Sequence, residues 1–237
     1  AISYNSNRKK QNIKFFEFGK TYHQKETERI ENKHLSLLLT GNKTEDSWNL
    51  PTQPSDFYFL KANVENILLR LGISDTSSMP TQSDVFSEGL SLYMQDDKLV
   101  DFGVVKKSIT KHFDIKQEVL YADFEWSTIL KLVPKNSIVF KEIPKYPEVK
   151  RDFALLLDNK ATFKQVHDIA FETEKKLLKN INLFDVYTGK NLPEGKKSYA
   201  VSFTIQDTKN TLTDKQIDKI MSKLQANYEK QLGAELR

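Results

Sequence analysis

At 237 residues the chain is longer than one small domain needs, and 38% apolar with 29% charged residues is the balance of a globular protein. Cysteine is absent, which excludes disulfide scaffolds and zinc–thiolate sites, and no window holds the roughly eighteen apolar residues of a membrane span. The net charge of +4 sits entirely in the C-terminal part: from Lys145 onward 17 Lys and Arg face 13 Asp and Glu, whereas the first 144 residues hold 19 of each. A basic half beside a neutral one points to an acidic partner, most commonly nucleic acid.

The chain starts at Ala1 without an initiator methionine or a signal-peptide pattern, so a piece of a longer, soluble, cytoplasmic protein is expected. The polar run 3–12 is expected to fray. Phe15, Phe16, Phe18, Gly19 and Tyr22 then predict a strand, residues 24–33 a charged solvated connection, and Leu35, Leu37 and Leu39 a second strand that pairs antiparallel with the first. A loop follows in which Trp48 is expected to pack under the strands. From Asp56 the period changes. Phe57, Leu60, Val64, Ile67, Leu68 and Leu71 recur at helical spacing, and Gly72 stands where a helix closes. Residues 74–83 read as a loop, Leu90 to Val105 as a hairpin turning at Asp96 and Asp97, 106–113 as a short helix and 119–124 as a strand. Pro134, Pro144 and Pro147 place a boundary, dividing the chain into domains 1–143 and 144–237.

The second domain reads as strand 152–157, helix 163–179, strand 181–187, strand 198–206, helix 214–232 and a terminal strand 234–237. Thr162 with Gln165 and Thr213 with Gln216 fit capping boxes, which fix both helix starts. The order βαββαβ is the ferredoxin-like plan, with both helices on one face of a four-stranded sheet and the other face free to bind. In the hairpin 182–199, Phe184 and Val186 share one face and Asp185 and Tyr187 the other. Tyr199, Val201 and Phe203 oppose Ser198, Ala200, Ser202 and Thr204 in the same way. An exterior of small residues with one aspartate and one tyrosine, edged by Lys196 and Lys197, is unusual for a sheet. The fold class is α+β throughout.

Sequence motifs of nucleotide, metal and hydrolase sites are missing. There is no G-x-x-x-x-G-K-S/T, G-x-G-x-x-G, H-E-x-x-H or G-x-S-x-G, and His23, His34, His112 and His167 are scattered without ligand spacing. No catalytic or metal-binding residue is therefore predicted.

Segments in both halves of the chain carry a resemblance. YPEVKRDFALLLD at 146–158, LFDVYTGKNLPEGKKSYAVSFTI at 183–205 and DTKNTLTDKQI at 207–217 closely resemble the ferredoxin-fold anticodon-binding domain of the bacterial phenylalanyl-tRNA synthetase beta chain, and the closing GAELR fits as well. FFEFGKTY at 15–22, LLLTGNKTEDSWN at 37–49, DFYFLKANVENIL at 56–68 and LVDFGVVKKSITKHFDI at 99–115 look like the same chain's catalytic-like domain. Where a His-Pro-Gly-Arg type segment is expected in that family, residues 83–94 read SDVFSEGLSLYM, so nothing is carried over there.

The resemblance implies a class II synthetase-like antiparallel sheet domain without working active-site motifs. It also implies an enzyme of two alpha and two beta chains that ligates phenylalanine to tRNA(Phe), with ATP and magnesium acting on the alpha chain and no cofactor held here. Ala154, Asp185, Tyr187 and Ser198 match the family's anticodon-contacting positions, with Tyr187 to stack on a base and Asp185 to accept from a base edge. Lys150, Arg151, Lys196 and Lys197 are assigned to phosphates, although Arg151 could instead pair with Asp152 or Asp185. The alternative is an assembly module in which the ferredoxin-like domain is a spacer without RNA contact.

Overall fold

The computed structural model describes residues 1–133, 140 and 142–237, and the chain separates into two compact units, 1–139 and 140–237. Pro134 of the expected boundary lies outside the described residues.

The first unit is built on a six-stranded antiparallel sheet in the order β1-β2-β6-β5-β4-β3. Its strands are β1 (Ile13–Lys25), β2 (Glu28–Thr40), β3 (Ser77–Pro80), β4 (Phe86–Met94), β5 (Asp97–Val105) and β6 (Val119–Glu125). Three helices follow the sheet strands, α2 (Phe57–Arg70), the short α3 (Lys107–His112) and α4 (Trp126–Leu132); α2 and α4 contribute to the main core, where Leu60, Val64, Leu68 and Ile129 are buried with Leu35, Leu37, Phe102 and Phe124. Asp56 caps α2 by accepting from the Phe59 N–H at 2.8 Å. Gly72, at φ 77°, adopts the left-handed conformation that follows the helix end.

Several expectations change. The run 3–12 does not simply fray: α1 (Ile2–Ser6) forms, and Ile2 is buried in a small cluster with Ile13, Val105 and Val119. The charged connection 24–33 is strand on either side of a tight turn at Glu26 and Thr27. The β1–β2 pairing runs on to Lys25 opposite Glu28 as a continuation of the ladder that starts in the sheet at Ile13 opposite Thr40, and Lys20 meets Glu31 across it at 2.7 Å. Trp48 is 97% exposed. Bonds from Lys43 N–H to Gln53 O and Ser55 N–H to Gly41 O close the base of its loop and leave the tip outside the core. Residues 77–80, read as loop, pair with β4 as a short edge strand. The helix α4 has no counterpart in the sequence reading.

The second unit contains β7 (Val149–Asp158), α5 (Phe163–Thr173), β8 (Leu178–Tyr187), β9 (Lys196–Ile205), α6 (Asp214–Leu232) and β10 (Glu235–Leu236), with sheet order β10-β7-β9-β8. Both capping boxes form. Val166, Ile169 and Ala170 of α5 and Ile217, Ile220, Leu224 and Tyr228 of α6 are buried with Leu155, Leu157, Val201 and Phe203 of the sheet. Helix α5 stops at Thr173, six residues before the expected end. The Glu174 carboxylate accepts the N–H groups of Lys176 and Leu177, turning the chain so that Leu178 enters β8. Gly233, left-handed at φ 58°, ends α6 in a Schellman turn, with Gly233 N–H to Glu229 O and Ala234 N–H to Tyr228 O. That turn aims β10 along β7. Among the described residues no helix is long and apolar enough to cross a membrane.

Candidate nucleic-acid interface

The helices cover one face of the second unit's sheet, and strand register decides what the other presents. On that open face Ala154 of β7 lies opposite Ala200 of β9, and Ala200 lies opposite Asp185 of β8. In the next row Leu156 faces Ser198, which faces Tyr187. Ala154, Asp185, Tyr187 and Ser198 therefore occupy two adjacent rows of one surface, with strands roughly 4.8 Å apart.

Asp185 and Tyr187 reach this face through a β-bulge. Ile181 and Leu183 point into the core opposite Phe203 and Val201, so strict alternation would turn Asp185 inward as well. The register slips between Leu183 and Asp185, leaving Phe184 as the extra residue, 55% exposed, and Asp185 faces out opposite Ala200. Phe184 and Val186 are thus not the buried partners that simple alternation predicts. The signal was present in the sequence as a parity conflict, with apolar residues at 181 and 183 but also at 184 and 186.

Exposure divides the four residues. Asp185 and Tyr187 are exposed and Ala154 is half-buried, but Ser198 retains only 8% of its surface, and its hydroxyl makes no hydrogen bond among the described residues. Tyr187 lies against the turn that follows it, where only the absence of a side chain at Gly189 leaves room for the ring.

The four basic residues do not act together. Lys150, opposite Thr204, and Lys196, opposite Asp158, belong to the open face at its two ends, eight β9 positions apart. Arg151 falls on the helix side, 3.8 Å from Asp214 in the first turn of α6, and it pairs with neither Asp152 nor Asp185. Lys197 also lies on the helix side, donating to Asn159 O at 2.9 Å and standing 4.7 Å over the Tyr199 ring.

The first unit carries a polar network on the sheet face turned away from its main core. Thr21 Oγ1 lies 3.1 Å from His34 Nε2, and His34 Nδ1 lies 3.0 Å from Asp123. Beside them Asp101 accepts from Thr81, Ser91 and Lys98. Burial pushes the Asp101 carboxyl up, but these donors outweigh it and hold the group below the usual carboxylate range. Burial likewise pushes the Tyr121 hydroxyl up. Among the described residues no cluster of three acidic or histidine side chains could hold a metal ion. Arg8, just past the end of α1, stacks at 3.5 Å on Tyr4 and donates to Tyr4 O.

Residues 144–237 match the ferredoxin-fold anticodon binding domain, and residues 1–126 match the phenylalanyl tRNA synthetase beta chain CLM domain. The phenylalanine–tRNA ligase beta subunit of Bacteroides thetaiotaomicron is 49% identical over 250 residues, and that of Porphyromonas gingivalis 38% over 249; each alignment covers 100% of this chain and 30% of the relative. The chain thus spans about a third of the length of the curated relatives it matches. The crystal structure of pyrrolysyl-tRNA synthetase from Desulfitobacterium hafniense aligns at a TM-score of 0.43 with 15% identity, over 57% of this chain and 47% of that one. With the beta-chain domain matched over more than half of its residues and the anticodon-binding domain over most of the rest, the chain belongs to the phenylalanyl-tRNA synthetase beta chain family.

Proposed function

We propose that the ferredoxin-like unit binds the anticodon stem-loop of tRNA(Phe) on its open sheet face, as the RNA-binding part of a cytoplasmic phenylalanine–tRNA ligase. The observation that carries this reading is the bulge-set register that brings Asp185 and Tyr187 out beside Ala154 and Ala200. Loop bases present a π-face to stack on and polar edges to hydrogen-bond, and an exposed tyrosine beside an exposed carboxylate supplies both. Small neighbours let the bases approach. The test is tRNA(Phe) binding by Tyr187→Ala and Asp185→Ala variants. Each is expected to lose about tenfold or more in affinity, Tyr187→Ala because stacking one base contributes roughly 1–3 kcal/mol and Asp185→Ala because a hydrogen bond to a charged acceptor contributes roughly 1.5–3 kcal/mol. Unchanged affinity with an intact fold removes the site.

In this reading the ligation chemistry belongs to an alpha chain in an α2β2 assembly, which binds ATP and magnesium. The present chain alone is expected to support no phenylalanine-dependent pyrophosphate exchange. Exchange by the purified chain, free of any alpha chain, contradicts that assignment.

One observation favours an additional assembly role for the first unit. Strand β1 is a sheet edge of 13 residues, and Phe16, Phe18 and Tyr22 along it are 72%, 58% and 72% exposed. A long edge strand carrying bare aromatics is a surface that other proteins protect by covering.

A further inference from the structure

The row formed by Ala154, Ala200 and Asp185 does not end at Ala154. Strand β10 pairs antiparallel with β7, Glu235 opposite Leu156 and Leu236 opposite Leu155, and the Arg237 N–H donates to Ala154 O at 3.0 Å. The same register puts Arg237 directly opposite Ala154, and alternation along β10 gives it the open face. The row is therefore Arg237, Ala154, Ala200, Asp185: a cation and an anion about 14 Å apart, three strand spacings, across a floor of two alanines.

We propose that Arg237 binds a backbone phosphate of the single-stranded RNA whose base reaches Asp185; this rests on the anticodon-binding reading above. The row has an electrostatic direction. A phosphate is repelled at Asp185 and drawn to the opposite end, where the guanidinium offers paired N–H donors in the geometry that phosphate oxygens accept. Arg237 is exposed and makes no ion pair among the described residues, although Glu235 and Asp152 face the same side two positions away along β10 and β7. Those two carboxylates, with the α-carboxylate that Arg237 carries in the 237-residue protein, repel a phosphate and leave the guanidinium as its favourable contact on this rim. The sequence reading missed Arg237 because its place follows only from the β7–β10 register.

The experiment titrates a fluorescently labelled anticodon stem-loop of tRNA(Phe) into the 237-residue protein across a salt series. Arg237→Gln is expected to weaken binding by about tenfold and to reduce the slope of log affinity against log salt by about 0.7, the value of one phosphate contact on a single strand. Arg237→Lys is expected to recover the slope but only part of the affinity, because a point charge replaces a fork. Lys230→Gln, on the last turn of α6, should change neither. Thermal unfolding of Arg237→Gln should match the parent, since the backbone bond to Ala154 is kept. Parent-like affinity and slope for Arg237→Gln, with binding lost in Tyr187→Ala, overturns the assignment of Arg237 and leaves the site standing. Parent-like binding by both variants, or no binding by the parent, overturns both.

Discussion

Gly189 lies directly against the ring of Tyr187: a Cβ built on Gly189 would stand 2.0 Å from the Tyr187 hydroxyl oxygen and 2.1 Å from the ring carbon that bears it. Any side chain at 189 must displace the ring. Gly189 is therefore required for space, so that the tyrosine can rest over the turn while its exposed surface faces the sheet's open side. Gly189→Ala is expected to lower anticodon stem-loop affinity by about tenfold, comparable to losing one stacked base. In a Tyr187→Ala background the same substitution should cost nothing further. A double-mutant cycle by fluorescence anisotropy checks this, and additive losses would mean that Gly189 acts through something other than the ring.

A second expectation concerns Lys150, Lys196 and Lys197. Register places the first two on the open face, whereas Lys197 is tied to Asn159 O and the Tyr199 ring on the other. Lys150→Gln and Lys196→Gln should each flatten the salt dependence of RNA binding by about 0.7, and Lys197→Gln should leave it unchanged. Equal slopes for all three variants would show that the lysines act only through net charge.

The core of the same unit holds a pH-sensitive group. Tyr228 is fully buried, its hydroxyl donates to Val166 O at 3.0 Å, and burial pushes its ionisation far above the ordinary value of 10.0. The folded state thus keeps the proton longer than the unfolded chain does. This contribution to stability is complete below about pH 10, where both states are protonated, and is lost as the pH rises above it. Tyr228→Phe should cost about 1 kcal/mol at neutral pH, the net value of the hydrogen bond lost, because Val166 O keeps its place in the backbone ladder of α5. It should also flatten the alkaline fall in stability. Chemical denaturation at pH 7 and above pH 10 measures both.

In the first unit Asp56 caps α2 and meets Lys43 at 2.8 Å. The lysine contact, followed by the Phe59 N–H, outweighs desolvation and holds the carboxyl below 3.8. With its folded pKa depressed, Asp56 adds stability above that value and loses it as the pH falls through the folded pKa. Asp56→Ala should cost about 1 kcal/mol at pH 7, the usual value of a lost N-cap. Asp56→Asn keeps an acceptor for Phe59 and should cost less. Urea denaturation monitored by circular dichroism orders the two variants, and an equal cost would assign the effect to Lys43 rather than to the cap.

How much of this was legible in the sequence varied with the range of the interaction responsible. Both capping boxes, the span of α6 and the βαββαβ order follow from spacings of three or four residues, and they formed as read. Helix α5 was overextended because Leu177 continues its apolar stripe, while the carboxylate of Glu174 turns the chain first. The hairpin extension through Lys25 and Glu28 was hidden because charged cross-strand pairs leave no apolar alternation. The face carrying Asp185 and Tyr187 was read with the right members for an incomplete reason. Alternation from Phe184 to Tyr187 taken alone puts Asp185 and Tyr187 outside, and the bulge at Phe184 is what reconciles that with the inward Ile181 and Leu183. The side of β7 that Arg151 takes follows from its alternation with the buried Leu155 and Leu157, whereas its partner Asp214, sixty-three positions away, needed tertiary information.

The central claim is that the open face recognises unpaired RNA bases, and its most direct test compares two ligands of equal charge. One is the tRNA(Phe) anticodon stem-loop; the other has the same length, with the loop nucleotides locked into a Watson–Crick duplex. If Tyr187 stacks on a base and Asp185 reads its edge, the stem-loop should bind at least tenfold more tightly at matched salt, and Tyr187→Ala should remove most of that difference. Equal affinity for the two ligands, unaffected by Tyr187→Ala, would contradict the account and leave only phosphate attraction.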